Sequence, residues 1–310
     1  MLKTKGGYER MRPVSKKTVE QVAKKLMGSD RFDKLKEERE ARVPKIFGDF
    51  TEPPEPKDQA IALIFGLPGE GKTTFALSSA PGPIAFFDVD RRGLHAARRA
   101  KAKGKRIAYT SLDYPKNLLK MGDVEARAAA QKQVDKYTRN YELALRESER
   151  GNIRTIVTDT WTELAEIFNI ALTGRVDRKK DDYGKSAGLL KASISRLLKE
   201  SRNSDANILM LARAKEVWEG GSPTGIYTFK GPDTLAYDAD WAGHYRLSKA
   251  RSIRRQRDPS RQVQELEITK AGINRKTLGR VYTREDWGTL GPFIFACMKS
   301  YPGTTAETWR

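Results

Sequence analysis

Cysteine is almost absent from this chain. Among its 310 residues there is one, Cys297, which excludes an intrachain disulfide, and with His95 and His244 as the only histidines no Cys/His cluster is available for structural zinc. Any metal must therefore bind through oxygen. Cys297 lies in the apolar run PFIFACM, where a thiol is expected to be buried and structural rather than reactive. Long hydrophobic runs are missing as well. No stretch approaches the roughly 18 uninterrupted apolar residues of a membrane-spanning helix, and MLKTKGGYERMRPVSKK has no apolar segment of the secretory kind, so no membrane and a cytoplasmic location are expected. Acidic residues form the third deficit. The chain has 40 Asp+Glu against 59 Lys+Arg, a formal net charge of +19, which points to a polyanionic partner, nucleic acid first.

What remains is organised unevenly. Residues 1–47 carry 14 Lys/Arg and 7 Asp/Glu with few large apolar side chains, and read as a basic arm, helical or partly disordered. Val19, Val22 and Leu26 allow one short amphipathic helix in it. TEPPEPKD at 51–58 then reads as an extended linker, because its prolines cannot continue a helix. The expected division is a basic arm and linker over 1–58 and one main domain over 59–310.

From residue 59 short β-like runs alternate with helical segments, the pattern of an α/β fold around a mainly parallel sheet. The expected strands are 61–65, 83–89, 106–110, 153–158 and 207–212. Between them, Val134, Tyr137, Tyr141 and Leu145 mark the buried stripe of a helix over 124–149, and Leu189, Leu190, Ile194, Leu197 and Leu198 mark another. After 240 the rhythm changes to HYRLS, RQVQELEITK and GRVY, which predicts antiparallel strands finishing the sheet.

The sharpest motif is GLPGEGKT, made of Gly66, Leu67, Pro68, Gly69, Glu70, Gly71, Lys72 and Thr73. It matches G-x-x-x-x-G-K-[ST] at every fixed position and lies between an apolar strand and a helix-like TTFALSSA that opens with Thr73 and Thr74, the Walker A context. The glycines let backbone N–H groups face phosphates, Lys72 reaches the β/γ oxygens of ATP, and the Thr73 hydroxyl ligates Mg2+. A carboxylate ending a neighbouring apolar strand must help hold that metal, and Asp159 after Ile156-Val157-Thr158 supplies it as the Walker B residue. Thr160 follows it rather than Glu, so the carboxylate that orients the attacking water comes from elsewhere. Asp90, at the end of PIAFFDVD, is the candidate; Asp88 and Asp90 also suit helix capping, and Glu163 is the alternative.

In this order, from the P-loop through the acidic strand end, Asp159, a basic loop, a long helix and NILMLARAKE, residues 59–285 resemble the RecA-like recombinase core. Within it they resemble the phage-encoded ATPases proposed as single-strand annealing proteins. The resemblance implies a RecA-like fold, Asp90 in the place of the catalytic glutamate, and Arg213 in the place of the polar sensor after Walker B. It implies Lys270 and Arg275 in ITKAGINRK as fingers reaching a neighbouring subunit's ATP, in a homo-oligomeric ring or filament. It also implies single-stranded DNA as ligand, a single-strand-binding or replication protein as possible partner, and a host-cell cytoplasm as the setting.

Two segments correspond to the DNA-lining loops of that core. GRVDRKKDDYGKS holds Arg175, Arg178, Lys179, Lys180 and Lys185; KEVWEGGSPTGIYTFKGPD sets Trp218, Tyr227 and Phe229 among Lys215 and Lys230 on a glycine-rich frame expected to be mobile. Cations with aromatic faces suit single strands. Residues 245–280 add 11 Lys/Arg against 3 Asp/Glu, with Arg251, Arg254, Arg255, Arg257 and Arg261 crowded together as a backbone-binding run. No base-reading module is visible, so binding is expected to ignore sequence. The expected function is a Mg-ATP-dependent, single-strand-binding ATPase of recombination or annealing. A helicase or packaging motor, and a nucleotide-stabilised scaffold, are the alternatives.

Overall fold

The computed structural model describes residues 33–34, 59–112, 121–174, 182–249, 262–271 and 278–283. The chain divides into two units, Met1–Pro56 and Lys57–Arg310. The expectations for the basic arm, the linker and Cys297 lie outside the described residues, and all elements below belong to the second unit.

Among the described residues nine strands form one sheet: β1 (Ile61–Gly66), β2 (Ile84–Asp88), β3 (Ile107–Ser111), β4 (Thr155–Asp159), β5 (Asn207–Glu219), β6 (Ser222–Lys230), β7 (Trp241–Lys249), β8 (Gln262–Ala271) and β9 (Val281–Thr283). Their order is β3-β2-β4-β5-β1-β7-β8-β9, with β6 paired to β5 alone. From β3 to β7 every neighbour is parallel, and β7, β8 and β9 are mutually antiparallel. This is an α/β fold with a mainly parallel sheet and antiparallel C-terminal strands, the architecture expected from the RecA-like resemblance. IALIFG, IAFFD and TIVTD are buried along their whole length, as strands covered on both faces must be.

The two faces separate along each strand with period two. Ile61, Leu63 and Phe65 join Phe87, Ile156 and Met210 under α3 (Asp123–Glu149), α4 (Trp161–Thr173) and α5 (Asp182–Arg202). Ala62 and Ile64 join Phe86, Val157 and Leu211 under α1 (Lys72–Ser79) and α2 (Leu94–Ala102). A short α6 (Thr234–Asp238) precedes β7. Of the stripe on α3, Tyr137, Tyr141 and Leu145 are buried, the two tyrosines wholly, while Val134 is only partly buried. On α5 one expectation is corrected: Leu190, Ile194, Leu197 and Leu198 are buried, but Leu189 is 55% exposed. Its helical neighbour four residues on, Ser193, is polar, so Leu189 begins no buried row.

A second correction concerns 213–230. The expected glycine-rich loop is a β-hairpin. β5 does not end at residue 212 but leaves the sheet and pairs antiparallel with β6, Arg213 opposite Lys230 and Glu219 opposite Ser222. Gly220 and Gly221 sit at φ 58° and 83°, so the pair forms a two-residue turn with both residues left-handed, whose twist matches the strands. Glycines that looked like mobility are the corner of a regular element.

Candidate functional site

The loop between β1 and α1 is bent by backbone that other residues resist. Gly71 has φ 99° and N-caps α1, and a Cβ on Gly66 would collide with the Tyr245 carbonyl of β7. Glu70 holds the bend: its carboxylate accepts from Leu67 N at 2.6 Å and from Leu247 N of β7 at 3.3 Å. Leu67, Pro68 and Gly69 are exposed at the crest, and Thr74 is exposed on the first turn of α1. Lys72 is buried, donating to Gly66 O at 2.9 Å and Leu67 O at 2.7 Å. Burial lowers its pKa, opposed by the nearby charges of Asp159 and Glu70.

Asp159 ends β4 beneath this loop. Thr73 Oγ1 donates to its Oδ2 at 2.5 Å. Burial pushes the Asp159 carboxyl up to about 7, while the Thr73 hydrogen bond and Lys72 pull it back. A hydroxyl and a carboxylate side by side are hard oxygen donors of the kind Mg2+ takes, usually together with waters and phosphate oxygens. Among the described residues no group of three or more His, Cys, Asp or Glu is placed to hold a metal. The residues present therefore fit a metal shared with a phosphate ligand rather than one caged by protein.

The acidic candidates occupy different surroundings. Asp88, opposite Asp159 across the β2–β4 ladder, is buried and its Oδ2 accepts from Gly93 N at 3.0 Å and from Tyr109 OH at 2.9 Å. It pins the start of α2, the capping reading; burial raises its pKa, and the Gly93 N–H opposes that. Asp90 stands higher: its Oδ1 accepts from Arg92 N at 3.1 Å, and its Oδ2 lies 4.0 Å from Arg213 Nη2. The same Arg213 guanidinium is ion-paired with Glu163 on the first turn of α4. Glu163 is buried, which raises its pKa against the pull of Arg213, and its Oε2 has no hydrogen-bond partner among the described residues. Arg213 thus links the two carboxylates that compete for the water-orienting role.

Thr162 connects this site to the hairpin. Its hydroxyl donates to Lys230 O at 2.7 Å and accepts from Arg213 N at 3.0 Å, at the residue where β5 leaves β1. Phe229 packs on Phe65, with ring centroids 6.3 Å apart, and Tyr227 lies 5.5 Å from His244, which stacks on Phe65 in turn. Those two aromatics are engaged internally, whereas Trp218 is 62% exposed near the hairpin tip. Lys230 lies 3.6 Å from Glu166. Lys191, Lys215 and Lys230 border a groove of about 460 Å³ over Ala165 and Leu190, between α4, α5 and the hairpin base.

Lys270 faces inward. Its ammonium donates to the carbonyls of Ala236, Tyr237 and Ala239 at 2.5, 2.8 and 2.6 Å, closing α6 onto β8. A finger in trans would have to break these bonds, so within the protomer Lys270 is an anchor. Arg175, Arg178, Lys179 and Lys180, the run Arg251, Arg254, Arg255, Arg257 and Arg261, and the finger candidate Arg275 lie outside the described residues, and the Lys185 side chain is likewise not described. Sequence reading missed Glu70 as the tie to β7 and Tyr109 as the partner of Asp88. Both contacts join segments far apart in the chain, and no local signal carries them.

Residues 58–271 match the family model described as an AAA domain. Among solved structures, a KaiC-like protein of the hyperthermophilic archaeon Pyrococcus horikoshii OT3 is similar at 14% identity, with 73% of this chain and 85% of that chain covered and a TM-score of 0.40. No curated protein matches the sequence.

Proposed function

Because the chain belongs to the AAA domain family and carries an ATPase P-loop, we propose that it is a Mg-ATP-dependent ATPase that binds single-stranded nucleic acid, with recombination or annealing as its setting. The observation that carries the reading is the hairpin base. Thr162 and Arg213 tie the nucleotide site to Lys230, and Lys230 borders the groove that Lys191 and Lys215 share. A single strand suits that groove, although Glu166 and Asp233 also line it: lysines follow phosphates and the apolar floor accepts a base, while Trp218, outside the lining, offers an exposed face on the same hairpin. The chain assembles so that residues of one copy approach the nucleotide of the next.

Lys72 and the N-terminus of α1 hold the β- and γ-phosphates, and Thr73 with Asp159 would hold the magnesium. Bound there, the ion neutralises charge on the phosphate oxygens. Asp90 orients the attacking water from the side facing Arg213, and Arg213 bridges Asp90 and Glu163 beside the γ-phosphate. Lys72→Ala is expected to lower turnover by about 10²–10³-fold, the usual cost of one such charged donor. Asp90→Asn is expected to do the same with nucleotide affinity retained. Full turnover in Asp90→Asn with loss in Glu163→Gln moves the water-orienting role to Glu163.

The deciding experiment is Mg-ATP hydrolysis alone and with single-stranded DNA, duplex DNA or single-stranded RNA at one salt concentration. Stimulation by one single strand supports the reading and selects its nucleic acid. Turnover indifferent to all three defeats it and leaves an ATPase with a protein partner.

A further inference from the structure

α2 has a divided surface. Ala96, Ala97 and Ala100 make its buried arc, small enough to bring the helix close over Ile84 and Phe86 of β2. Its exposed arc carries His95, Arg98, Arg99 and Lys101, and exposure continues at Lys103 and Arg106. From residue 91 to 112 the sequence has eight Lys or Arg and no Asp or Glu. Three of the eight are engaged: Arg91 donates to Leu112 O, Arg92 lies by Asp90, and Lys105 donates to Ala80 O. Arg98, Arg99, Lys101, Lys103 and Arg106 have no ion-pair partner among the described residues.

Other helices answer their exposed cations within a turn, Arg150 with Glu147 and Arg196 with Glu200. On α2 the positions one turn apart, Arg98 with Lys101 and Arg99 with Lys103, carry like charges that repel. The dipole of α2 favours a cation or two in its last turn, where Arg99 and Lys101 stand, but five exceed what its half charge holds. The exposed arc has no large apolar side chain to enter a lipid interface, and His95 is its one aromatic ring. What it offers is a dense set of donors for phosphates, with arginine forks that meet two oxygens at once.

We infer that the α2 face binds the phosphate backbone of a nucleic acid and holds a second strand. α2 covers the side of the sheet opposite α4, α5 and the groove at Lys230, so one strand cannot serve both surfaces of a protomer without rounding the sheet. This inference rests on the single-strand reading proposed above.

The test uses the full chain with Mg-ATP and a labelled single-stranded oligonucleotide, titrated over a salt series into protein free or already saturated with an unlabelled, non-complementary strand. R98Q/R99Q/K101Q is compared with wild type and with Trp218→Ala. The triple variant is expected to lose capture of the second strand by 10-fold or more, with the log–log salt slope of that capture lower by about 2, from roughly 0.7 per neutralised contact. ATP turnover without nucleic acid and the melting curve are expected to stay at wild-type values, because the three side chains are exposed and remote from Lys72 and Asp159. Trp218→Ala is expected to weaken the first strand and spare the second. Equal slope and equal second-strand capture in the triple variant overturn the inference while leaving the single-strand reading intact. Wild type that binds no strand overturns both. Poly-glutamate binding lost in the variant, with strand capture unchanged, overturns it in favour of an acidic protein surface.

Discussion

The helices on the two faces of the sheet bring different side chains to it. Under α3, α4 and α5 the layer is aromatic: Tyr137 packs edge-on against Phe87 and Trp161 at 5.1 and 6.2 Å, and the Tyr137 and Tyr141 hydroxyls bond to Thr158 and Ser201 at 3.1 and 2.7 Å. Under α2 the helix contributes only alanine, with Ala96, Ala97 and Ala100 buried, while α1 adds Phe75 and Leu77. α1 carries Lys72 and Thr73 to the carboxyl edge where Asp159 ends β4, on the same face as α2. α4 and α5 lie on the other face and wall the groove beside the hairpin.

The sharpest way to break this contrast is Tyr137→Ala, which removes a wholly buried ring from under α3 and α4. It should cost about 3–5 kcal/mol in denaturant unfolding. Under α2 the opposite change is the harmful one: Ala97→Leu should cost about 1–3 kcal/mol by overpacking, and ATP turnover should fall with it as α1 is displaced. A loss of turnover without loss of stability would count against close packing as the role of these alanines. On the hairpin, Phe229→Ala should lower stability because its ring packs on Phe65, whereas Trp218→Ala should leave melting unchanged and weaken single-strand binding by about 1–3 kcal/mol.

The smallest effect concerns His244. Burial, and then Arg246, lower its pKa below the ordinary 6.5. As pH falls through that value the unfolded chain takes up a proton that the folded one refuses, so stability should drop on the acid side. His244→Phe keeps a ring on Phe65 and should show a smaller drop between about pH 7 and about pH 5, compared by melting temperature.

Legibility in the sequence followed contiguity. The P-loop is eight consecutive residues, and the buried parallel strands are unbroken apolar runs, so both could be read directly. The α3 stripe is visible for the same reason. Arg213 against Glu163, Glu70 against Leu247 and Asp88 against Tyr109 join residues from 21 to 177 positions apart and depend on strand order, which periodicity does not encode. The hairpin was hidden differently: a two-glycine turn and a flexible loop share one composition, and only the alternation in RAKEVWE and TGIYTF separates them.

β5 is continuous from Asn207 to Glu219. Its inner half is clamped between the strand that leads into the P-loop and the strand that ends at Asp159, and its outer half is one arm of the hairpin. Arg213 lies where the strand passes from one partner set to the other, and a register shift follows between Glu216 and Trp218. Thermodynamic reciprocity then binds the two ends. Under the proposed function, by whatever factor ATP alters the grip of the hairpin on a single strand, that strand must alter the grip on ATP by the same factor.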